Sequence, residues 1–182
     1  MVELRFHGRG GQGAVTSAEL LAQTAIAEGK YAQAFPSFGP ERRGAPVMAY
    51  SRIQDSPVRN RTAVQTPDIV IVLDPSILSI VNTSDGLSDD GVQIVNSNRS
   101  ADEIREEFGL KGKIVTVNAN RIAKEEIGRV ITNTTMLGAL LKATGIVDKE
   151  GLIEQVKVRF GRIAEGNIKA LNRAFEETAI VK

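Results

Sequence analysis

The 182-residue chain has no cysteine, no tryptophan and one histidine, His7. The lack of cysteine excludes disulfides, thiolate zinc sites, cysteine-ligated iron–sulfur clusters and a cysteine nucleophile, and it fits a reducing compartment. Aromatic residues make up only 4%, too few for the stacking platforms that bind single-stranded nucleic acid. Lys and Arg total 23 against 22 Asp and Glu, so global charge gives no argument for a nucleic-acid or membrane partner. No apolar run approaches the roughly 20 residues that cross a bilayer. The opening Met1-Val2-Glu3-Leu4-Arg5 lacks the basic-then-apolar order of a secretory signal, so a cytoplasmic location is expected. With one histidine the chain shows no Ser-His-Asp set and no carboxylate–histidine cluster at metal-ligand spacing. No catalytic residue and no metal ligand is predicted.

What is present is ordinary globular material, 42% hydrophobic and 25% charged, of a length that suits one domain over residues 1–182. Val2, Leu4 and Phe6 alternate with Glu3, Arg5 and His7 and predict a strand. After a glycine cluster, Ala14, Ala18, Leu21, Ala22, Ala25 and Ile26 recur at helical spacing up to Gly29. Tyr31–Phe35 predicts a second strand that completes a strand–helix–strand unit. Val47–Ile53 predicts a further strand; it arrives without a crossover helix and can therefore be antiparallel. The apolar run Ile69–Leu73 fits a parallel strand covered on both faces. A short helix over 76–81 follows, then strands at 92–95 and 114–117 and a helix at 121–127. Asn133 is placed as the N-cap of a helix ending near Gly145. Helices at 148–158 and 164–178 complete the chain, the last carrying Ile168, Leu171 and Phe175 on one face. The alternation predicts an α/β fold, a three-layer α/β/α Rossmann-like domain with a largely parallel sheet and one strand open to antiparallel pairing.

Two segments carry the functional argument. Gly8, Gly10 and Gly13 match G-x-G-x-x-G between a strand and a helix, where glycines permit a tight turn and close ligand approach. The helix N-terminus adds free amides and partial positive charge, which favour an anion. A nicotinamide dinucleotide would want an acid at the end of the second strand, but that end reads Ala34-Phe35-Pro36-Ser37. The turn also lacks the Gly-Lys-Ser/Thr ending of a nucleoside-triphosphatase loop. Close helix–strand packing, a phosphate-bearing ligand, or a partner segment over the turn remain as readings. The second segment, Ser37-Phe38-Gly39-Pro40-Glu41-Arg42-Arg43-Gly44-Ala45-Pro46, sets two guanidiniums in a restricted backbone. Arginine's planar fork suits carboxylate and phosphate partners, and with Phe35 and Phe38 nearby the segment predicts a docking surface. His7 is read as a structural hydrogen-bonding residue and Asp74, before Pro75, as an N-cap.

Arg5-Phe6-His7-Gly8-Arg9-Gly10-Gly11-Gln12-Gly13, together with Tyr31–Ile53, Pro67–Asp74 and the 133–141 helix, resembles the gamma subunits of the pyruvate:ferredoxin oxidoreductase (pyruvate synthase) family along essentially the whole chain. The resemblance implies a subunit of an enzyme that oxidatively decarboxylates a 2-oxoacid with coenzyme A, giving acyl-CoA, carbon dioxide and reduced ferredoxin. It implies thiamine diphosphate with magnesium on alpha and beta subunits and 4Fe–4S clusters on a delta subunit. The gamma chain itself would hold no cofactor alone but would stand on the coenzyme A side of the site. The candidate contacts are the amides of Gly10, Gly11, Gln12 and Gly13, with Arg42 and Arg43 as charge partners. The alternatives are the equivalent subunit of a 2-oxoglutarate, 2-oxoisovalerate or indolepyruvate enzyme, a purely structural scaffold, and a free-standing dinucleotide-dependent dehydrogenase.

Overall fold

The computed structural model describes residues 1–37 and 43–179. In chain order these form β1 (Val2–Arg9), α1 (Ala14–Ala27), β2 (Tyr31–Pro36), β3 (Pro46–Gln54), β4 (Ile69–Val72), β5 (Val92–Asn96), α2 (Ala101–Phe108), β6 (Lys113–Val117), α3 (Ala119–Glu126), α4 (Asn133–Thr144), α5 (Lys149–Phe160) and α6 (Ala164–Glu177). A 3₁₀ turn, Pro75–Ser79, follows β4, and another, Gly161–Ile163, joins α5 to α6.

One six-stranded sheet runs in the order β2-β3-β1-β4-β5-β6. β1, β4, β5 and β6 are parallel, whereas β3 pairs antiparallel with both β1 and β2. The expected strand–helix–strand unit is thus present but split. β1 and β2 point the same way, and β3 lies between them because it returns directly from β2 without a helix. The register Phe6↔Ala49 and Ala34↔Ser51 sets small residues of β2 and β3 beside the apolar face of β1, and α1 packs across all three strands.

The two faces of the sheet are covered unequally. α1, α4, α5 and α6 bury the larger core, which includes Leu4, Phe6, Ile71, Leu140, Leu152 and Leu171. α4 and α6 approach so closely that a Cβ at Gly138 would overlap the backbone of Leu171. This is why a helix interior tolerates glycine there despite its conformational cost. On the other face, α2 and the first 3₁₀ turn cover Val70, Val72, Val95 and Ile114. No helical period in the sequence marks α2. It buries only Ile104 and is held by a capping box, Ser100 with Glu103.

Beneath β1 and β3 that same face is polar and closed by irregular chain. Arg52 is buried and donates to Glu3 Oε1 at 2.6 Å and to the Asn60 carbonyl at 3.2 Å. Its guanidinium also lies 5.4 Å from the Phe35 ring centroid. Arg5 donates to the carbonyls of Thr83 (3.0 Å) and Asp85 (2.6 Å) and to His7 Nε2 (3.0 Å). The polar residues of the alternating strand therefore meet polar chain rather than solvent, and their desolvation is offset by hydrogen bonds.

The later helices end where their chemistry dictates. Gly145 closes α4 in the left-handed conformation, and Asp148 caps α5 by accepting from the Gly151 amide at 2.8 Å. Among the described residues no helix is long and apolar enough to cross a membrane.

Candidate functional site

β1 ends at the carboxyl edge of the sheet, and the chain turns through Gly10–Gly13 into α1. Gly11 (φ 92°) and Gly13 (φ 83°) are left-handed, a backbone that costs any residue with a Cβ. Gly13 stands at the cap position of α1 and supplies no side-chain cap, so the first amides of the helix face outward.

The four predicted amides are not equivalent. Gly10 N–H donates to the Ala45 carbonyl at 2.9 Å, and Gln12 N–H to the Arg9 carbonyl at 3.0 Å. Both belong to the turn itself. The Gly11 and Gly13 amides have no acceptor among the described residues. The Gln12 side chain is structural too: its Oε1 accepts from the Arg9 amide (2.7 Å) and its Nε2 donates to Asp74 Oδ2 (2.7 Å).

Arg9, which the sequence reading did not single out, ties the turn down. Its guanidinium donates to Ser76 Oγ (3.0 and 2.8 Å) and to the Gly44 carbonyl (2.9 Å), and lies 3.5 Å from Asp74. Asp74 caps the 3₁₀ turn as expected, accepting from the Ser76 amide at 2.9 Å. Partial burial pushes its carboxyl up. Hydrogen bonds from Ser76 and Gln12, with Arg9 beside them, outweigh that and hold it below the usual carboxylate range.

Arg43 is brought to this turn. It is exposed, and its backbone bridges to Gly10 in parallel fashion, while the Gly44 amide donates to the Gly10 carbonyl at 3.2 Å. Arg42, Phe38 and the rest of 38–42 lie outside the described residues.

The expectation for Asn133 is corrected. Thr132 occupies the cap position of α4, and its hydroxyl donates toward the Leu73 carbonyl at 3.4 Å instead of capping the helix. Asn133 is already helical. Its carboxamide lies against Gly13: a Cβ placed there would stand 2.7 Å from Asn133 Nδ2. Asn133 is only 4% exposed, yet Oδ1 has no hydrogen-bond partner among the described residues. Ser17 Oγ, at the fourth residue of α1, is likewise buried and unpaired. Buried polar atoms are nearly always satisfied; of these two orphans the Ser17 hydroxyl can donate to a ligand group, whereas Asn133 Oδ1 can only accept. The junction is also electropositive. The N-termini of α1 and α4 meet here, neither carries a side-chain cap, and neither has an acidic residue in its first turn. The sequence signal that could have exposed this is the unbroken polar run Thr132–Thr135 opening an otherwise apolar helix.

His7 sits just before the turn, 2% exposed. Burial, reinforced by the neighbouring Arg5 cation, lowers its pKa to about 3. Its Nε2 accepts from Arg5. It is a neutral acceptor near neutral pH and has no proton to exchange there, in keeping with its structural reading. Among the described residues, no three His, Asp or Glu side chains cluster as metal ligands. The site offers amide donors, a carboxamide and a guanidinium, a set that binds an anion.

The profile of the pyruvate ferredoxin/flavodoxin oxidoreductase family matches residues 3–177. The chain is 52% identical over 182 residues to the pyruvate/ketoisovalerate oxidoreductases common subunit gamma of Thermococcus kodakarensis, covering 99% of this chain and 98% of that one. It is 51% identical over 178 residues to pyruvate synthase subunit PorC of Methanothermobacter thermautotrophicus, covering 97% and 96%. The crystal structure of pyruvate oxidoreductase subunit PORC from Thermotoga maritima superposes with a TM-score of 0.89 at 41% identity, covering 100% and 98%. The chain belongs to the pyruvate ferredoxin/flavodoxin oxidoreductase family. Within it, the chain is a gamma-type subunit of a multi-subunit 2-oxoacid oxidoreductase.

Proposed function

We propose that this chain seats a phosphate group of coenzyme A where α1 and α4 meet, within a pyruvate:ferredoxin oxidoreductase whose bond-breaking chemistry belongs to its partners. The Gly11 and Gly13 amides, left without an acceptor where the uncapped N-termini of α1 and α4 meet beside Asn133 Nδ2, carry this reading. A phosphate oxygen there would accept from the Gly11 and Gly13 amides and from Asn133 Nδ2, with Arg43 supplying charge from the rim. Arg42 belongs to the same proposed set through its place in the sequence. The amides of Gly10 and Gln12 act one step back, by fixing the turn.

Thiamine diphosphate with magnesium is assigned to alpha and beta partners and 4Fe–4S clusters to a delta partner. Ferredoxin is the electron acceptor, and the whole complex is cytoplasmic. The relatives are named both for pyruvate and ketoisovalerate together and for pyruvate alone. A gamma chain common to two substrates does not select between them, so the choice of 2-oxoacid rests with the partners.

The test uses the assembled enzyme, with pyruvate- and coenzyme A-dependent dye reduction as readout. Losing a hydrogen bond to a charged group costs about 1.5–3 kcal/mol, so Asn133→Ala should raise the coenzyme A KM by roughly tenfold or more with kcat kept. Arg43→Ala, on the exposed rim, should raise it less. Unchanged coenzyme A kinetics in both variants would overturn the proposal, and impaired assembly with unchanged kinetics would leave a scaffold.

A further inference from the structure

Beyond Asn133, the segment that leads into α4 and the start of α6 enclose a groove of about 630 Å³, lined by Ile127, Ile131, Phe160 and Ile163 with Arg129 and Arg162 at its edge. Two of its apolar side chains are unusually open: Ile163 is 67% exposed and Ile131 40%, with exposed Val130 next to Ile131 in the chain. Of the eight large hydrophobic residues exposed among the described ones, two, Ile131 and Ile163, line this one groove. A monomer rarely leaves such a cluster uncovered.

The charges say what covers it. Glu126 is held by Arg173 at 2.8 Å, and Glu165 by Lys169 at 2.8 Å. Arg129 and Arg162 have no carboxylate within 4.0 Å among the described residues. The groove therefore presents apolar contacts framed by two uncompensated guanidiniums. A second copy of this chain fits poorly. The carboxylates of the same patch, Glu126 and Glu165, are already paired with Arg173 and Lys169, so a twofold copy of the patch offers these arginines no free carboxylate. An occupant with apolar side chains and flanking carboxylates fits both features, since arginine forms bidentate pairs with carboxylates at interfaces. Ile131 of this groove stands two residues before Asn133 of the candidate ligand site in the chain.

We propose that this groove receives an acidic segment of a partner subunit of the oxidoreductase, its apolar side chains entering between Ile131 and Ile163 and its carboxylates pairing with Arg129 and Arg162. The partner would thereby be held beside the Gly13–Asn133 junction.

The test takes the whole complex, co-expressed with a tagged partner subunit. The double variant Arg129→Glu/Arg162→Glu should weaken retention of the gamma chain at least tenfold, and Arg129→Gln/Arg162→Gln should fall between it and the parent. Both arginines are exposed, so melting of the isolated variant chain should match the parent and exclude misfolding. A photoreactive benzophenone residue in place of Ile163 should cross-link to a partner subunit, at a peptide bearing Asp or Glu. Unchanged retention in the charge-reversed complex overturns the proposal. So does a cross-link to a second gamma chain, to a peptide without acidic residues, or to nothing.

Discussion

Substituting alanine at Gly11 and at Gly13 separates backbone strain from contact within a single turn. Both residues are left-handed, at φ 92° and 83°, and a Cβ in that region costs about 1–2 kcal/mol. At Gly11 the new methyl meets nothing within 4 Å, so Gly11→Ala should lose about 1–2 kcal/mol and no more. At Gly13 it would stand 2.7 Å from Asn133 Nδ2 and 3.1 Å from Asn133 Cβ and Cγ. Asn133 is buried and cannot swing into solvent, so overpacking adds about 1–2 kcal/mol, and Gly13→Ala should lose about 3 kcal/mol in all. Urea titration followed by far-UV circular dichroism reads both losses, with unchanged m-values showing that the same surface unfolds. Adding Asn133→Ala to Gly13→Ala removes the Nδ2 and Cγ contacts while leaving Cβ at 3.1 Å, and should restore up to about 1 kcal/mol. The reasoning fails if Gly13→Ala is no worse than Gly11→Ala, or if removing the carboxamide restores nothing.

His7 sets a pH dependence of known sign. Its folded pKa lies near 3, below the 6.5 of the free side chain, so the unfolded chain takes up the proton first. Stability is then unaffected above about pH 6.5 and falls by about 1.4 kcal/mol per unit on acidification toward pH 3. Because the chain has one histidine, its single imidazole signal should stay in the neutral position down to about pH 4.5, and His7→Gln should remove this contribution from the pH–stability curve. Gly138→Ala should force α4 away from α6 and lower stability by about 3 kcal/mol, read as a fall in the denaturant midpoint; a near-neutral result would mean that the two helices do not touch backbone to backbone.

Much of the frame was legible because local chemistry and tertiary placement agree. Period-two alternation over Val2–Phe6, the all-apolar Ile69–Val72 and the left-handed Gly145 each carry one structural meaning. The direction of β3 was readable from the short return after β2, and its position was not. Insertion between β1 and β2 depends on pairing across the sheet, which no local pattern encodes. α2 escaped notice because Asp102, Glu103, Arg105, Glu106 and Glu107 leave a single buried residue, Ile104, too few to show a helical period; the Ser100–Glu103 capping box was the available signal. At the candidate site, residue type and spacing pointed to the glycine turn and to Arg43, whose backbone bridges to Gly10. The roles of Gln12, Arg9 and Asn133 were not legible in this way, because each is defined by a neighbour more than 30 residues away: Asp74, Gly44 and Ser76, and Gly13 respectively.

In doubly wound sheets a visiting nucleotide usually lies across the crevice where the winding reverses, here between the carboxyl ends of β1 and β4. This chain keeps that crevice for itself. Gln12 reaches over to Asp74, and Arg9 grips Ser76 through two nitrogens, so a dinucleotide lying there in the usual pose would have to evict three hydrogen bonds. A frame shaped like a nucleotide carrier thereby has its usual cargo position spanned by its own side chains.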